Sequence, residues 1–162
     1  MKILLAIDGS PCSDAAVEEV MRRPWPAGSS LKVLTVFEPP VVPTPETWAI
    51  PASYYEVMDA ALLKQGQNII DSATQKLKSN KTLSLTSLTM FGSPRPVIVD
   101  EAESWRADLI VVGSHGYGTW KRLLLGSVSQ AVVSHAKCSV EVVRCHTPEE
   151  TSKDRSSNKR NE

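Results

Sequence analysis

The sequence has no surplus of charge of either sign: 18 Lys+Arg stand against 18 Asp+Glu in 162 residues. A formal net charge of zero excludes a global field that would draw in nucleic acid or an anionic membrane and leaves only local patches. No stretch reaches the roughly 18 consecutive apolar residues of a membrane span. The opening MKILLAID has one basic residue and a run of five apolar residues before Asp8, short of the ~7–15 residues of a signal-peptide core. A soluble, cytoplasmic chain is expected. Cysteines are scarce: Cys12, Cys138 and Cys145 are an odd set at irregular spacing, which argues against a disulfide framework. A metal site drawn from His135, Cys138, Cys145 and His146 fails on distance. Residues 138–145 read as one extended segment whose ends, at ~3.3 Å per residue, lie roughly 20 Å apart. Hydrophobic residues are lacking altogether from His146 to Glu162. Nothing there offsets the entropy of ordering, so residues 146–162 are expected to be a disordered polar tail.

What remains, 41% hydrophobic overall, suffices for one buried core and suggests a single domain over residues 1–145. Lys2 to Ile7 is a nearly continuous apolar run, the pattern of a strand covered on both faces. It ends at the turn signal Asp8-Gly9. Ser10-Pro11 then starts a helix to about Arg23, with Ala16, Val17, Val20 and Met21 on one face and Pro24 and Pro26 preventing continuation. The alternation continues: strand 31–37, helix 53–79 weakened at Gly66, strand 83–91 with the polar alternation of an edge, helix 96–105, strand 108–112, helix 127–136 and strand 139–144. Strands joined through helices pair in parallel, so the expected architecture is an α/β open doubly wound sheet. Its strand-to-helix loops gather at the carboxyl edge, where ligands settle. Between elements, residues 38–52 hold five of the eleven prolines and read either as a stiff surface loop or as a lid.

The glycines of one such loop carry the chemistry. Gly113-Ser-His-Gly116-Tyr-Gly-Thr-Trp-Lys-Arg-Leu-Leu-Leu-Gly126-Ser127 leaves a buried strand and opens a helix. Phosphate oxygens are well held by backbone N–H groups approached closely, which favours glycine, and by the positive end of a helix. Two common phosphate loops are excluded: after Gly113 and Gly118, Thr119 and Trp120 stand where a P-loop requires Lys and Ser/Thr. The dinucleotide fingerprint fails because Lys121 occupies the third glycine position. What fits is a third spacing, G-x2-G-x9-G-[ST]: Gly113, Gly116, Gly126 and Ser127.

With its GSHG and LLLGSVS surroundings and an Asp closing the first strand, this pattern resembles the universal stress protein family, in its ATP-binding members, over roughly residues 1 to 145. The resemblance implies a three-layer, five-stranded parallel sheet in order 3-2-1-4-5, of the adenine-nucleotide alpha-hydrolase-like kind. It implies that Ala6 and Asp8 line adenine and ribose, that the Val36 backbone meets the adenine edge and that Val112 packs nearby. Gly113 and Gly116 would approach ribose and phosphates, and Gly126, Ser127, Val128 and Ser129 would donate to the phosphate chain. A homodimer through the last strand, 139–144, is implied too, although Ser139 and Glu141 depart from the family's usual strand.

Plainer readings stand beside these. Ser127 and Gln130 form an S-x-x-Q capping box that needs no ligand, and Asp8 suits an Asp-Gly turn. His115 has the chemistry of an acid or base, but no partner identifies it as catalytic, and Lys121 and Arg122 read as solvated. Three functions compete: an ATP-binding regulatory module with hydrolysis slow or absent, a weak ATPase or nucleotidyl-transfer enzyme, and a nucleotide-free interaction protein of the same fold. The intact glycines favour the first over the third, and the missing general base and phosphate-loop lysine favour it over the second. Mg entering with the nucleotide would supply charge neutralisation.

Overall fold

The structure, a computed structural model, describes residues 1–38, 52–116 and 125–145. Most of the Pro-rich segment, Lys121 and Arg122, and the stretch from His146 onward lie outside the described residues. Strands and helices alternate as β1 (Lys2–Ala6), α1 (Pro11–Arg22), β2 (Ser29–Phe37), α2 (Ala52–Leu77), β3 (Leu83–Phe91), α3 (Pro94–Trp105), β4 (Leu109–Gly113), α4 (Ser127–His135) and β5 (Ser139–Val143). All four strand pairings are parallel, in the order β3-β2-β1-β4-β5. That is the expected sheet.

The pleat of β1 explains the three layers. Successive side chains of a strand point to opposite faces, so a strand apolar at every position needs cover on both. Ile3, Leu5 and Ile7 pack with Ala16, Val17 and Val20 of α1 and Ala73 and Leu77 of α2. Leu4 and Ala6 pack on the other side with Ile98 and Ala102 of α3 and Val132 of α4. Ile3, Leu4 and Leu5 are fully buried, each contributing about 1.5–3 kcal/mol of transfer free energy.

Element boundaries moved where polar residues or prolines enter an element. β2 starts at Ser29, earlier than predicted. Ser29 is fully buried, and its hydroxyl donates to the Pro26 carbonyl at 2.7 Å, which removes the penalty of carrying it into the sheet. α3 starts at Pro94 behind the N-cap Ser93, since a proline's missing N–H costs nothing in a first turn. Gly66 has a packing reason: a Cβ there would stand 2.6 Å from Phe37 Cε2 and 3.1 Å from Thr89 Cγ2. The glycine lets α2 settle onto β2 and β3.

One expectation is overturned. Cys12 and Cys145 are joined in a disulfide across 133 residues of sequence, with Cα atoms 4.6 Å apart. In a parallel sheet the helix starts and the strand ends share one edge, so the first turn of α1 and the chain leaving β5 are neighbours despite their distance in sequence. Cys145 is therefore directed to Cys12 rather than to Cys138, which is a free thiol. Among the described residues no three His, Cys, Asp or Glu side chains are grouped to hold a metal ion, and no helix is long and apolar enough to cross a membrane.

Candidate functional site

The pairing of β1 with β2 ends where Ile7 N–H donates to the Leu34 carbonyl at 2.9 Å. Beyond it, Thr35 to Phe37 pair only with β3 among the described residues. On its other side β1 pairs with β4, so the chain's connections diverge at β1 and leave a crevice at the carboxyl edge. A cavity of about 520 Å³ opens there, within the size range of small-molecule sites.

All ten residues singled out from the sequence line this cavity: Ala6 and Asp8 at the end of β1, Val36 from β2, Val112 and Gly113 from β4, Gly116 beyond it, and Gly126, Ser127, Val128 and Ser129 at the start of α4. Ser13, Leu34, Pro94 and Ile98 line it as well and were missed. Leu34 had a signal, since it lies two residues from Val36 and so on the same strand face. Pro94 and Ile98 had none, because the seat of α3 over the crevice is set by tertiary packing. His115, weighed only as an acid or base, is also a wall residue.

Asp8 serves two purposes at once. Its Oδ1 accepts from Ser10 N–H at 2.9 Å, closing the turn in which Gly9 has φ +83°. Its Oδ2 faces Gly116, where a Cβ would come within 2.6 Å of it. The same turn caps α1: Ser10 Oγ accepts from Ser13 N–H at 3.3 Å and donates to the His115 carbonyl at 3.3 Å, tying the two loops together.

The glycines divide by what they admit. A Cβ on Gly113 would lie 2.7 Å and 2.8 Å from the Cys12 carbonyl carbon and oxygen and 2.8 Å from Ser13 N. Gly113 thus lets the first turn of α1 seat against β4, a packing role the sequence did not suggest. At Gly126 a Cβ would meet the Ser114 carbonyl oxygen at 3.1 Å and His115 Cα at 3.2 Å.

The start of α4 corrects the capping-box reading. The N-cap is Gly126, not Ser127, and among the described residues no side-chain cap bond is made at this end. Ser127 is the first helical residue, so Gln130 is the fourth and stands one position beyond the one a box uses. Instead the single proton of Ser129 Oγ is shared between the Ser114 and Gly126 carbonyls, both at 2.9 Å, and Gly126 N–H donates to the Ser114 carbonyl at 2.8 Å. A helix start of this kind presents backbone N–H groups and partial positive charge, which together favour an anion. The other walls differ in kind: Leu34, Val36, Ile98 and Val112 are apolar, suiting a flat ring, and the Asp8 carboxylate suits a hydroxyl donor. His115 Nδ1 lies 3.2 Å from Ser114 Oγ, which in turn contacts Cys12 Sγ at 3.6 Å. Ser114 is buried, so this chain of groups leads away from the cavity.

The profile of the Universal stress protein family matches residues 1–144. Universal stress protein Rv1996 of Mycobacterium tuberculosis is 31% identical over 152 residues, covering 87% of this chain and 47% of its own length; the chain thus spans about half the length of such mycobacterial relatives. Universal stress protein YxiE of Bacillus subtilis is 31% identical over 146 residues, covering 88% of this chain and 98% of its own. Among solved structures, UspA of Lactobacillus plantarum aligns with a TM-score of 0.71 at 27% identity, over 89% of this chain and 97% of that one. An Arabidopsis thaliana family member solved with AMP bound aligns with a TM-score of 0.66 at 21% identity, over 93% and 95%.

Proposed function

The chain belongs to the universal stress protein family, and from that premise we propose that it is a regulatory module that binds adenine nucleotide, ATP above all, in the crevice between β1 and β4. The observation that carries the reading is the glycine-capped start of α4 on the cavity wall, a helix end without a side-chain cap among the described residues. The AMP-bound Arabidopsis relative lends support through its shared fold. In this reading the N–H groups of Ser127, Val128 and Ser129 and the Ser127 hydroxyl take the phosphates, and Mg enters with the nucleotide; the Gly126 N–H and the Ser129 hydroxyl, expected among the donors, are already committed to carbonyls at the helix start. Asp8 Oδ2 accepts from the ribose, Ala6 and Val112 flank the sugar and base, and the Val36 backbone meets the adenine edge. Gly116 keeps the floor low over Asp8, and Gly113 holds α1 against that floor. Hydrolysis is slow or absent in this reading, in which the wall carboxylate of Asp8 is engaged by Ser10 N–H and by the ribose.

The module works in the cytoplasm as a homodimer, a second copy pairing along β5. Support comes from the strand's position: β5 pairs with β4 on one side, and no described strand covers its other edge, a template for further pairing. Glu141 is no obstacle, since both its oxygens take Arg23, at 2.6 Å and 2.7 Å, at the end of α1. Sedimentation velocity checks this, and a monomer at micromolar concentration would refute it.

The nucleotide reading is tested by denaturing the purified chain, chromatographing what is released, and measuring the melting shift with Mg-ATP, ADP and AMP. At a hundredfold excess over the dissociation constant, binding adds about 2.7 kcal/mol, or roughly 5–11 °C for a chain of this size. Gly126→Val should abolish the shift, since branches on that Cβ would press on Ser114 and His115 and displace the start of α4. No released nucleotide and no shift with any of the three would overturn the reading and favour a nucleotide-free interaction protein.

A further inference from the structure

The Cys12–Cys145 bond sits directly behind the cavity wall, and Ser114 stands between the two. Ser114 Oγ contacts Cys12 Sγ at 3.6 Å. Its N–H donates to the Val143 carbonyl at 2.7 Å, two residues before Cys145, and its carbonyl takes both Gly126 N–H and Ser129 Oγ. One buried residue therefore touches the disulfide, the end of β5 and the first turn of α4.

The two sulfurs differ in a way that suits exchange. Cys12 is 1% exposed and sits one residue into α1 after Pro11, whereas Cys145 is half-buried at the end of the described chain. The more exposed residue of the pair is Cys145, and its sulfur is therefore the one assigned to the attacking thiolate. The negative charge that leaves on Cys12 Sγ falls in the first turn of α1, within reach of the Ser114 hydroxyl, where the helix end and a hydrogen bond both favour it. Access at one sulfur and a stabilised leaving group at the other are the conditions for rapid exchange.

We propose that Cys12 and Cys145 are a reversible dithiol–disulfide site, operated by a small thiol of the glutathione class, and that the disulfide form binds adenine nucleotide more tightly than the dithiol form. The coupling rests on the nucleotide reading above; the redox site does not. Reduction runs in two balanced steps. A glutathione thiolate attacks Cys145 Sγ, forming a mixed disulfide and releasing the Cys12 thiolate. A second glutathione thiolate attacks the glutathione sulfur of that mixed disulfide, releasing the Cys145 thiolate and glutathione disulfide. Both protein thiolates take up protons, and two glutathiones have given one electron each. Oxidation is the reverse, with glutathione disulfide as the acceptor. With the bridge closed, the end of β5 is pinned to α1 and Ser114 is held between them, so its carbonyl presents the α4 start in one position. With the bridge open, the restraint on Ser114 from the Cys145 side is lost.

The full chain is equilibrated across ratios of glutathione to glutathione disulfide, quenched with acid, alkylated in denaturant and weighed intact. The oxidised form should carry one alkyl group, on Cys138, and the reduced form three, one on each cysteine of the sequence. Mg-ATP affinity, measured at both ends of the series, should be at least about fivefold tighter in the oxidised protein, and saturating Mg-ATP should shift the glutathione midpoint by the same factor, because coupling is reciprocal. Cys145→Ser should bind like the reduced form at every ratio. A chain carrying three alkyl groups or stable glutathione adducts under oxidising ratios refutes the bridge. One that keeps a single alkyl group throughout refutes its reversibility. Equal affinity in both forms refutes the coupling. Absence of nucleotide binding in either form overturns the proposed function and the coupling with it, and the alkylation series still decides the redox site.

Discussion

Gly113→Ala separates packing from ligand approach as the reason for a glycine in this loop. The added Cβ would fall 2.7–2.8 Å from three backbone atoms of Cys12 and Ser13, and backbone cannot turn aside as a flexible side chain can. Relief requires α1 to back away from β4 by more than half an ångström or β4 to bend. Overpacking of this kind costs about 1–3 kcal/mol, with rigid neighbours placing it near the top. Alanine returns about 0.4–1 kcal/mol by narrowing the unfolded ensemble. The net loss is about 2 kcal/mol, or a fall of roughly 4–8 °C in Tm. Gly28→Ala is the comparison: its φ is +78° and nothing lies within 4 Å of the added Cβ, so it tests backbone strain alone, about 1–2 kcal/mol. Urea melts of nucleotide-free protein read both. If Gly113→Ala melts like the parent without nucleotide and loses only its binding, the seat of α1 against β4 is not what requires the glycine.

Other substitutions probe single bonds. Asp8→Asn keeps an acceptor for Ser10 N–H but removes the charge facing Gly116, so stability should change by less than about 1 kcal/mol while Mg-ATP affinity falls at least tenfold by calorimetry; unchanged affinity would remove Asp8 from the site. Ser10→Ala removes a buried cap and the tie to the His115 carbonyl, with an expected loss of about 1–2 kcal/mol in urea denaturation, and no loss would show the cap to be idle. The Cys138 thiol is raised above the ordinary thiol value of 9.0, first by burial. The folded state then keeps its proton where the unfolded state has released it. Stability from this group is complete below the unfolded value and is lost as pH rises through the folded one. The parent should therefore lose stability above pH 9 more steeply than Cys138→Ser, and parallel curves would contradict the burial argument.

The sheet was legible because its signal is local. A strand such as Ile3 to Ile7, apolar at every position, needs cover on both faces whatever surrounds it, and a proline behind a serine marks a helix start. The ten wall residues were legible through the glycine spacing and the resemblance built on it. What escaped depends on placement in space. Neither the pairing of Cys12 with Cys145 nor the seat of Pro94 and Ile98 on the cavity leaves a trace in spacing. The same holds for Gly113, whose spacing pointed to a ligand and whose missing Cβ faces a helix. The capping box failed by a single residue, because Gly126 rather than Ser127 leaves the helical conformation, and a glycine offers no side chain for a sequence pattern to register.

The 2.6 Å between Asp8 Oδ2 and the absent Cβ of Gly116 also constrains the order in which these two positions can change. Loss of the carboxylate first leaves only a vacant spot beside a glycine, which a later side chain at 116 can fill. The opposite order places a methyl group on Oδ2 of a carboxylate whose other oxygen is tethered by its own turn. A chain of this fold that bears a side chain at position 116 should therefore have given up its acid at position 8 beforehand, and restoring that acid alone would be harmful. The route away from this pocket is open, and the direct way back is closed.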